Sequence, residues 1–256
     1  MADSQIEWTD ATWNPVAGCS IVSAGCKNCY AMGMARRLES MGVEKYNGLT
    51  RRSGKRVVCL GHVKEDEATL EAPYKWKSSR KVFVNSMSDL FHECVSTEFV
   101  DQVWGVMAAT PRHHYQILTK RPERMLRYTK RKHVKLLPNV WLGTSVENSE
   151  VKGRIDVLRK VPAAIKFVSF EPLIAAVGGV DLRGIDWAIV GGESGHRARP
   201  IEESWISEIH TQCIENDTAF FFKQWGSWGQ DRKRRSKKAN GRTYLGQTWD
   251  EMPAYA

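Results

Sequence analysis

Six short runs of β-branched and aromatic residues recur along the chain, and each ends in polar side chains. They are KVFVNSM (Lys81 to Met87), YQILTK (Tyr115 to Lys120), VWLGTSV (Val140 to Val146), IKFVSFEPL (Ile165 to Leu173), WAIVGGES (Trp187 to Ser194) and AFFFKQWG (Ala219 to Gly226). Runs of this kind read as strands. Their starts lie 34, 25, 25, 22 and 32 residues apart, which leaves room for a helix in most gaps. Between them, STEFVDQVWGVMAA (Ser96 to Ala109) opens on a capping pattern and puts Phe99, Val103, Val106 and Met107 on one helical face. SEVKGRIDVLRKV does the same with Ile155, Leu158 and Val161, and EESWISEIHTQCIEN with Trp205, Ile209 and Ile214. With a first strand around Ala11 to Val16, the alternation predicts an α/β fold, a partial or near-complete parallel (β/α) barrel. No linker or low-complexity stretch divides it, so residues 1–256 read as a single domain.

In a parallel barrel, functional groups gather at the C-terminal ends of the strands. Those ends carry Asn85, Ser86, Ser88 and Asp89; Lys120 and Arg121; Thr144, Ser145, Glu147 and Asn148; Ser169 and Glu171; Glu193 and Ser194; and Lys223 and Gln224. Glu171 follows the apolar FVSF and Lys223 follows three phenylalanines. A charge in either place needs a partner.

Just after the expected first strand comes GCSIVSAGCKNCYA, with six residues between Cys19 and Cys26 and two between Cys26 and Cys29. The N-terminal stretch holds Asp3, Glu7 and Asp10 without an apolar core, and no run of about 18 apolar residues occurs anywhere. The expectation is a soluble cytoplasmic protein with no membrane association, in which the six cysteines are free thiols or metal ligands rather than disulfides. Structural zinc wants a second short-spaced pair of ligands. His62, Cys59 and Cys94 could supply only isolated ones. An iron-sulfur cluster held by three cysteines would leave one iron open.

The segments IEWTDATWNPVAGC, CKNCYA, VNSMSDLFHE, QILTKRPERM, WLGTSVEN, FVSFEPL, VGGESG, ARP and FFFKQWG resemble a phage- and prophage-associated three-cysteine family related to the radical S-adenosylmethionine superfamily, from Ile6 to about Pro253. The resemblance implies a 4Fe-4S cluster on Cys19, Cys26 and Cys29, with S-adenosylmethionine chelating the open iron. It also implies an electron donor such as flavodoxin or ferredoxin, and hydrogen abstraction by a 5'-deoxyadenosyl radical. Two features depart from the superfamily pattern. The first cysteine gap is longer than the common three residues, and the aromatic residue, Tyr30, follows the last cysteine. Gly191 to Glu193 resembles the motif that binds the cosubstrate's amino group but ends a later strand. By position, Asn85, Ser86, Ser88, Asp89 and Lys120 are the better candidates around the cosubstrate, and Ser145, Glu147 and Asn148 match the ribose-binding place. Glu171, Lys223 and Glu193 are candidates for positioning substrate or moving protons, and His92 for a proton donor near the cluster.

The formal charge of +9 favours an anionic partner. Much of it sits in DRKRRSKKANGR, Asp231 to Arg242, with seven Lys and Arg against one Asp. This segment is either a solvated loop or a phosphate-contacting flap. Trp225 and Trp228, just before it, either stack bases or belong to the core with Trp8, Trp13 and Trp249. Arg121, Arg124, Arg197 and Arg199 near strand tips either bind a phosphate or carboxylate or pair with the acidic tips. Arg121, Arg197 and Arg199, with Arg232, Lys233, Arg234 and Arg235, are the candidates for contacting a nucleic-acid substrate, DNA before RNA. The alternatives are the same chemistry on a small metabolite and a zinc-stabilised, non-enzymatic nucleic-acid-binding protein. His113 and His114 are expected at solvent or in a loop, Cys59, Cys94 and Cys213 as buried inert thiols, and Met32 and Met34 as packing residues.

Overall fold

The computed structural model describes residue 4 and residues 6–254, and Asp3 lies outside them. In chain order the elements are β1 (Ala11–Trp13), β2 (Val16–Ala17), α1 (Tyr30–Ser40), β3 (Thr50–Ser53), β4 (Arg56–Cys59), β5 (Lys64–Glu65), β6 (Lys81–Val84), α2 (Thr97–Ala109), β7 (His114–Thr119), α3 (Pro122–Thr129), β8 (Val140–Ser145), α4 (Arg154–Arg159), β9 (Ile165–Phe170), β10 (Trp187–Gly191), α5 (Glu203–Glu215), β11 (Ala219–Gln224) and α6 (Lys237–Asn240). Each of the six apolar runs forms a strand. The sheet order is β1-β6-β7-β8-β9-β10-β11, and β1 with β6, β6 with β7, β9 with β10 and β10 with β11 pair in parallel. This is the expected α/β class, with an incomplete parallel (β/α) arrangement.

The first strand ends at Trp13, short of the expected Val16. Pro15 has no N–H for the ladder, and Val16–Ala17 instead pairs antiparallel with Lys64–Glu65. Other elements have no counterpart in the strand-and-helix pattern above. Among them are α1 just after the cysteines, the β3–β4 hairpin, half of whose residues are exposed, and α3, which starts on Pro122 at its first position, where the missing N–H costs nothing.

The chain falls into two compact units. The first comprises residues up to Val22, Cys29–Leu142 and Pro162–Ala164. Its strands bury Val82, Val84, Tyr115 and Ile117, and α2 buries Phe99, Val103 and Met107. The Ser96 hydroxyl caps α2 by accepting the Phe99 amide at 3.1 Å. Trp13 packs on Tyr115 with ring centroids 5.8 Å apart and donates its indole N–H to the Thr69 carbonyl at 2.8 Å.

The second unit comprises Ser23–Asn28, Gly143–Val161 and the chain from Ile165 onward. Its strands are apolar on both faces, with Phe167, Val168, Phe170, Ala188, Ile189, Val190, Phe220, Phe221 and Phe222 all buried, as parallel strands covered on two sides require. His210 stacks on Phe220 at 4.4 Å and meets the edge of Trp249 at 4.3 Å. Of the tryptophans read as either stacking or core, Trp8, Trp13 and Trp225 are buried. Met32 is buried but Met34 is exposed, and of the three scattered cysteines only Cys213 is buried, its thiol pushed up to about 12 by burial and by nearby Glu251.

His113, expected at solvent, is fully buried against the Pro73 carbonyl, and His114 is half-buried in β7. The apolar residues around His113 fill a space that the polar sequence context did not suggest. Burial pushes the pKa of His113 and His210 below the ordinary 6.5. The unfolded chain therefore binds more protons in that window, and stability falls as pH drops through about 6.5. The melting temperature is expected to be lower at about pH 5.5 than at about pH 7.5, with the difference narrowed in His210→Phe. An unchanged melting temperature across that range would contradict the burial of these rings.

Candidate functional site

At the strand ends of the first unit, Asn85 adopts a left-handed backbone (φ 60°). Its Oδ1 accepts the Val16 amide at 3.1 Å, while its buried Nδ2 has no hydrogen-bond partner. The Ser86 hydroxyl donates to Asn14 Oδ1 at 3.1 Å, and its carbonyl accepts the Tyr30 hydroxyl at 2.6 Å. Ser88 donates to the Val16 carbonyl at 2.7 Å. Asp89 accepts from the Phe91 amide (3.0 Å), Thr119 Oγ1 (2.7 Å), the Lys120 amide (3.3 Å) and Arg121 Nη1 (2.9 Å).

Arg121 is 6% exposed, and also binds Glu93 through Nε at 2.7 Å and Ser20 Oγ through Nη2 at 2.9 Å. Burial opposes its charge, but the Glu93 hydrogen bond and the charges of Asp89 and Cys19 outweigh that and raise its pKa. His92 is buried too, and burial together with Arg121 lowers its pKa. Its Nδ1 accepts the Cys94 amide at 3.1 Å, so the ring proton belongs on Nε2, which lies 2.6 Å from Ser20 Oγ. Ser20 Oγ thus takes two donors beside Cys19, and its own proton remains to be donated.

These contacts revise three expectations. Arg121 is committed to Asp89 and Glu93 and offers no surface to nucleic acid. The oxygens of Asp89 are occupied by chain donors, and the Ser88 hydroxyl donates its proton to the Val16 carbonyl. His92 is a neutral hydrogen-bond donor rather than an acid.

In the second unit, two buried carboxylates grip the segment around Cys26. Glu147 Oε1 accepts the Gly25 amide at 3.0 Å, and Oε2 accepts from Arg154 Nη1 at 3.1 Å. The approach is close: a Cβ at position 25 would lie 3.1 Å from the Glu147 carboxylate. Arg154 Nη1 also binds the Ser145 carbonyl at 2.9 Å. Glu193 Oε2 accepts from Asn28 Nδ2 (3.1 Å), the Arg199 amide (2.8 Å) and Arg199 Nε (2.9 Å), and Oε1 from Arg199 Nη2 (2.5 Å). Arg199 Nη1 reaches the Ala24 carbonyl at 3.1 Å, and Asn28 also donates to the Arg197 carbonyl at 2.9 Å. Burial works against the charged form of Glu193, yet the hydrogen bonds from Arg199 and Asn28 hold its pKa below the usual carboxylate range. Glu193 therefore stays ionised and braces the loop instead of moving protons, and Glu147, expected near a ribose, has the same bracing role.

Glu171 and Lys223, which the sequence left in need of partners, partner each other at 3.2 Å, with Ser169 Oγ donating to Glu171 at 3.4 Å. Their side chains are 15% and 17% exposed, so the pair is reachable from solvent. Ser145 is buried, and the buried Asn148 Oδ1 has no hydrogen-bond partner.

The basic segment is largely braced from within. Arg232 pairs with Glu202, Arg235 with Asp231 at 2.5 Å and Arg242 with Asp250, while Arg234 donates to the carbonyls of Gly195 and His196. Lys233, Lys238 and Arg197 are exposed. Trp225 is buried with its indole N–H on the Thr243 carbonyl at 2.8 Å, so its rings are not presented for stacking. Trp228 is half-buried and donates to the Ala198 carbonyl at 2.8 Å.

Among the described residues no group of three or more His, Cys, Asp and Glu side chains is gathered as a bound metal ion would require. In donor type and surroundings the cysteine loop nevertheless suits a thiolate-bound iron-sulfur cluster. Cys19 and Cys26 are half-buried and Cys29 is exposed. Cys29 is the N-cap of α1, whose positive end favours a negative ligand, and Cys19 lies within the field of Arg121.

The chain belongs to the family described as "protein of unknown function (DUF5131)", whose model matches residues 3–253. That extent agrees with the whole-chain resemblance, and the description says nothing of phages. No curated protein matches the chain. Two solved structures are similar: a cysteine-to-serine mutant of spore photoproduct lyase (12% identity, 84% of this chain and 64% of that one, TM-score 0.45), and spore photoproduct lyase complexed with dinucleoside spore photoproduct (12% identity, 78% and 60%, TM-score 0.40). The chain spans less than two thirds of the length of either. No helix among the described residues is long and apolar enough to cross a membrane.

Proposed function

We propose that this chain is a radical S-adenosylmethionine enzyme in which Cys19, Cys26 and Cys29 hold a 4Fe-4S cluster and S-adenosylmethionine is the cosubstrate. The observation that carries the reading is one three-cysteine loop that follows the short strand β2 and leads into α1 with its last cysteine at the N-cap position. A cluster held there by the three thiolates, and reduced by a donor of the flavodoxin or ferredoxin kind, would supply one electron for the reductive cleavage of S-adenosylmethionine.

The chain's own part is to hold and orient. Glu147 and Glu193 fix the backbone around Cys26, so the thiolate is presented without the entropy cost of ordering a loose loop. The unsatisfied Asn85 Nδ2 is a buried donor at a strand end of the first unit, and it gains a hydrogen bond from a polar cosubstrate. Glu171 and Lys223, paired yet reachable, orient substrate by charge-assisted hydrogen bonds.

The substrate in this reading is a nucleic-acid base, supported by the +9 charge and by exposed Lys233, Lys238 and Arg197. A small metabolite is the second reading, favoured by the internal ion pairs that occupy Arg232, Arg235 and Arg242. Binding of labelled DNA and RNA across a salt series separates them, since phosphate contacts give a steep salt dependence.

Anaerobic reconstitution of the full chain is expected to load about four iron and four sulfide per chain, with Cys26→Ala, Cys19→Ala and Cys29→Ala each losing most of both. Stoichiometric zinc without iron or sulfide would replace this reading with that of a zinc-stabilised protein.

A further inference from the structure

In the first unit, a cavity of about 170 Å³ is lined by Thr97 and Val100 of α2 and by residues of α3 and of the turn just after it, as far as Arg131. Its wall carries Arg124, Arg127 and Arg131, and its other lining includes Phe91, Thr97 and Tyr128. The spacing of three and then four residues stacks the three guanidiniums on one side of the helical path. Like charges set this close repel.

Arg131 Nη1 lies 3.5 Å from Asp101 Oδ2, but Asp101 is shared with the Tyr128 hydroxyl, which donates to Oδ1 at 2.9 Å, and with His133 at 3.7 Å. Arg124 spends Nη2 on the Val95 carbonyl. The Nη1 atoms of both Arg124 and Arg131 are buried and have no hydrogen-bond partner. Of the two, Arg131 Nη1 has the Asp101 carboxylate as its counter-charge, whereas the buried Arg124 Nη1 is orphaned, which is costly unless a ligand supplies an acceptor. Burial and the neighbouring Arg127 and Arg121 hold the pKa of Arg124 below its ordinary value, against the opposing pull of Glu93 and Asp89. An anion bound here would relieve that crowding.

We infer that this cavity is a binding site for a phosphoryl group, held by Arg124, Arg127 and Arg131 beside the first turn of α2. Three considerations select the ligand. The forked N–H groups of arginine match phosphate oxygens two at a time. The capped N-terminus of α2, a helix of 13 residues, adds positive potential where Thr97 lines the cavity. The volume equals that of roughly five or six waters, room for a phosphoryl group but not for a whole nucleotide, so the rest of an ester would project outward past exposed Arg127. The site involves no residue of the cysteine loop, and it stands or falls independently of the radical reading.

The test is calorimetric titration of the full chain with inorganic phosphate at low ionic strength, in parallel with a short mixed-sequence single-stranded oligonucleotide followed by anisotropy. Saturable one-site phosphate binding is expected, weakened at least about tenfold by Arg124→Gln and by Arg127→Gln and left unchanged by Arg235→Gln. Because Arg127 is exposed, its replacement keeps the fold and covers the case in which Arg124→Gln unfolds. Oligonucleotide binding weakened by the same variants identifies the source of the phosphoryl group as a polynucleotide backbone. Binding of phosphate alone identifies it as a small phosphate ester. No saturable phosphate binding, or binding that both cavity variants leave unchanged, overturns the site.

Discussion

Replacing Arg121 with leucine is expected to lower the unfolding free energy by about 3–5 kcal/mol, the usual cost of removing one partner from a buried ion pair. Asp89 and Arg121 are each 7% exposed at the side chain and bond at 2.9 Å. Without the guanidinium, Asp89 keeps the Thr119 hydroxyl and two amides but loses its counter-charge. Ser20 would lose one of its two donors, and the field on Cys19 would weaken. Urea unfolding at neutral pH measures the loss. The double variant Arg121→Leu with Asp89→Asn should recover part of it, because the stranded charge is then gone. A single-variant loss under about 1 kcal/mol would mean that water reaches Asp89 and that the pair is effectively a surface one.

Gly192→Ala is expected to be comparably damaging, at about 3 kcal/mol or more. Its new Cβ would run into the Trp225 carbonyl oxygen and come within 2.8 Å of the carbonyl carbon. These are backbone atoms that cannot swing aside as a side-chain tip can. Trp225 is itself anchored through Thr243, and residue 192 leads directly into Glu193, so a shift here loosens the brace on the cysteine segment. Circular dichroism melts measure the destabilisation, and proteolysis around residues 23–28 reports the loosened brace. A melting temperature equal to the parent's would show that this backbone approach is not tight.

The strands were legible because a parallel sheet buried on both faces demands continuous apolar runs, and six such runs stood out. The Glu171–Lys223 pair was half legible: each charge followed a buried run and needed a partner, although nothing in the sequence named the other. The bracing roles of Glu147 and Glu193 were not legible. Their partners Gly25 and Asn28 lie 122 and 165 residues away, and a carboxylate at a strand tip looks the same whether it faces substrate or grips a loop. Arg121 was half legible in the same way: pairing with acidic strand tips was one of its two readings, but its context, KRPERM, did not name Asp89 and Glu93 as the partners. The basic segment stood open between a solvated loop and a phosphate-contacting flap because net charge does not reveal which acidic residues from elsewhere, here Glu202 and Asp250, come to meet it.

The central claim is that the cysteine loop supports reductive cleavage of S-adenosylmethionine. The most direct measurement is chromatography of products after the anaerobically reconstituted full chain is reduced in the presence of S-adenosylmethionine. Methionine and 5'-deoxyadenosine are expected from the parent protein, and neither above background from Cys26→Ala. A parent protein carrying its full complement of iron and sulfide that yields no 5'-deoxyadenosine, or a Cys26→Ala variant that yields as much as the parent, would contradict it.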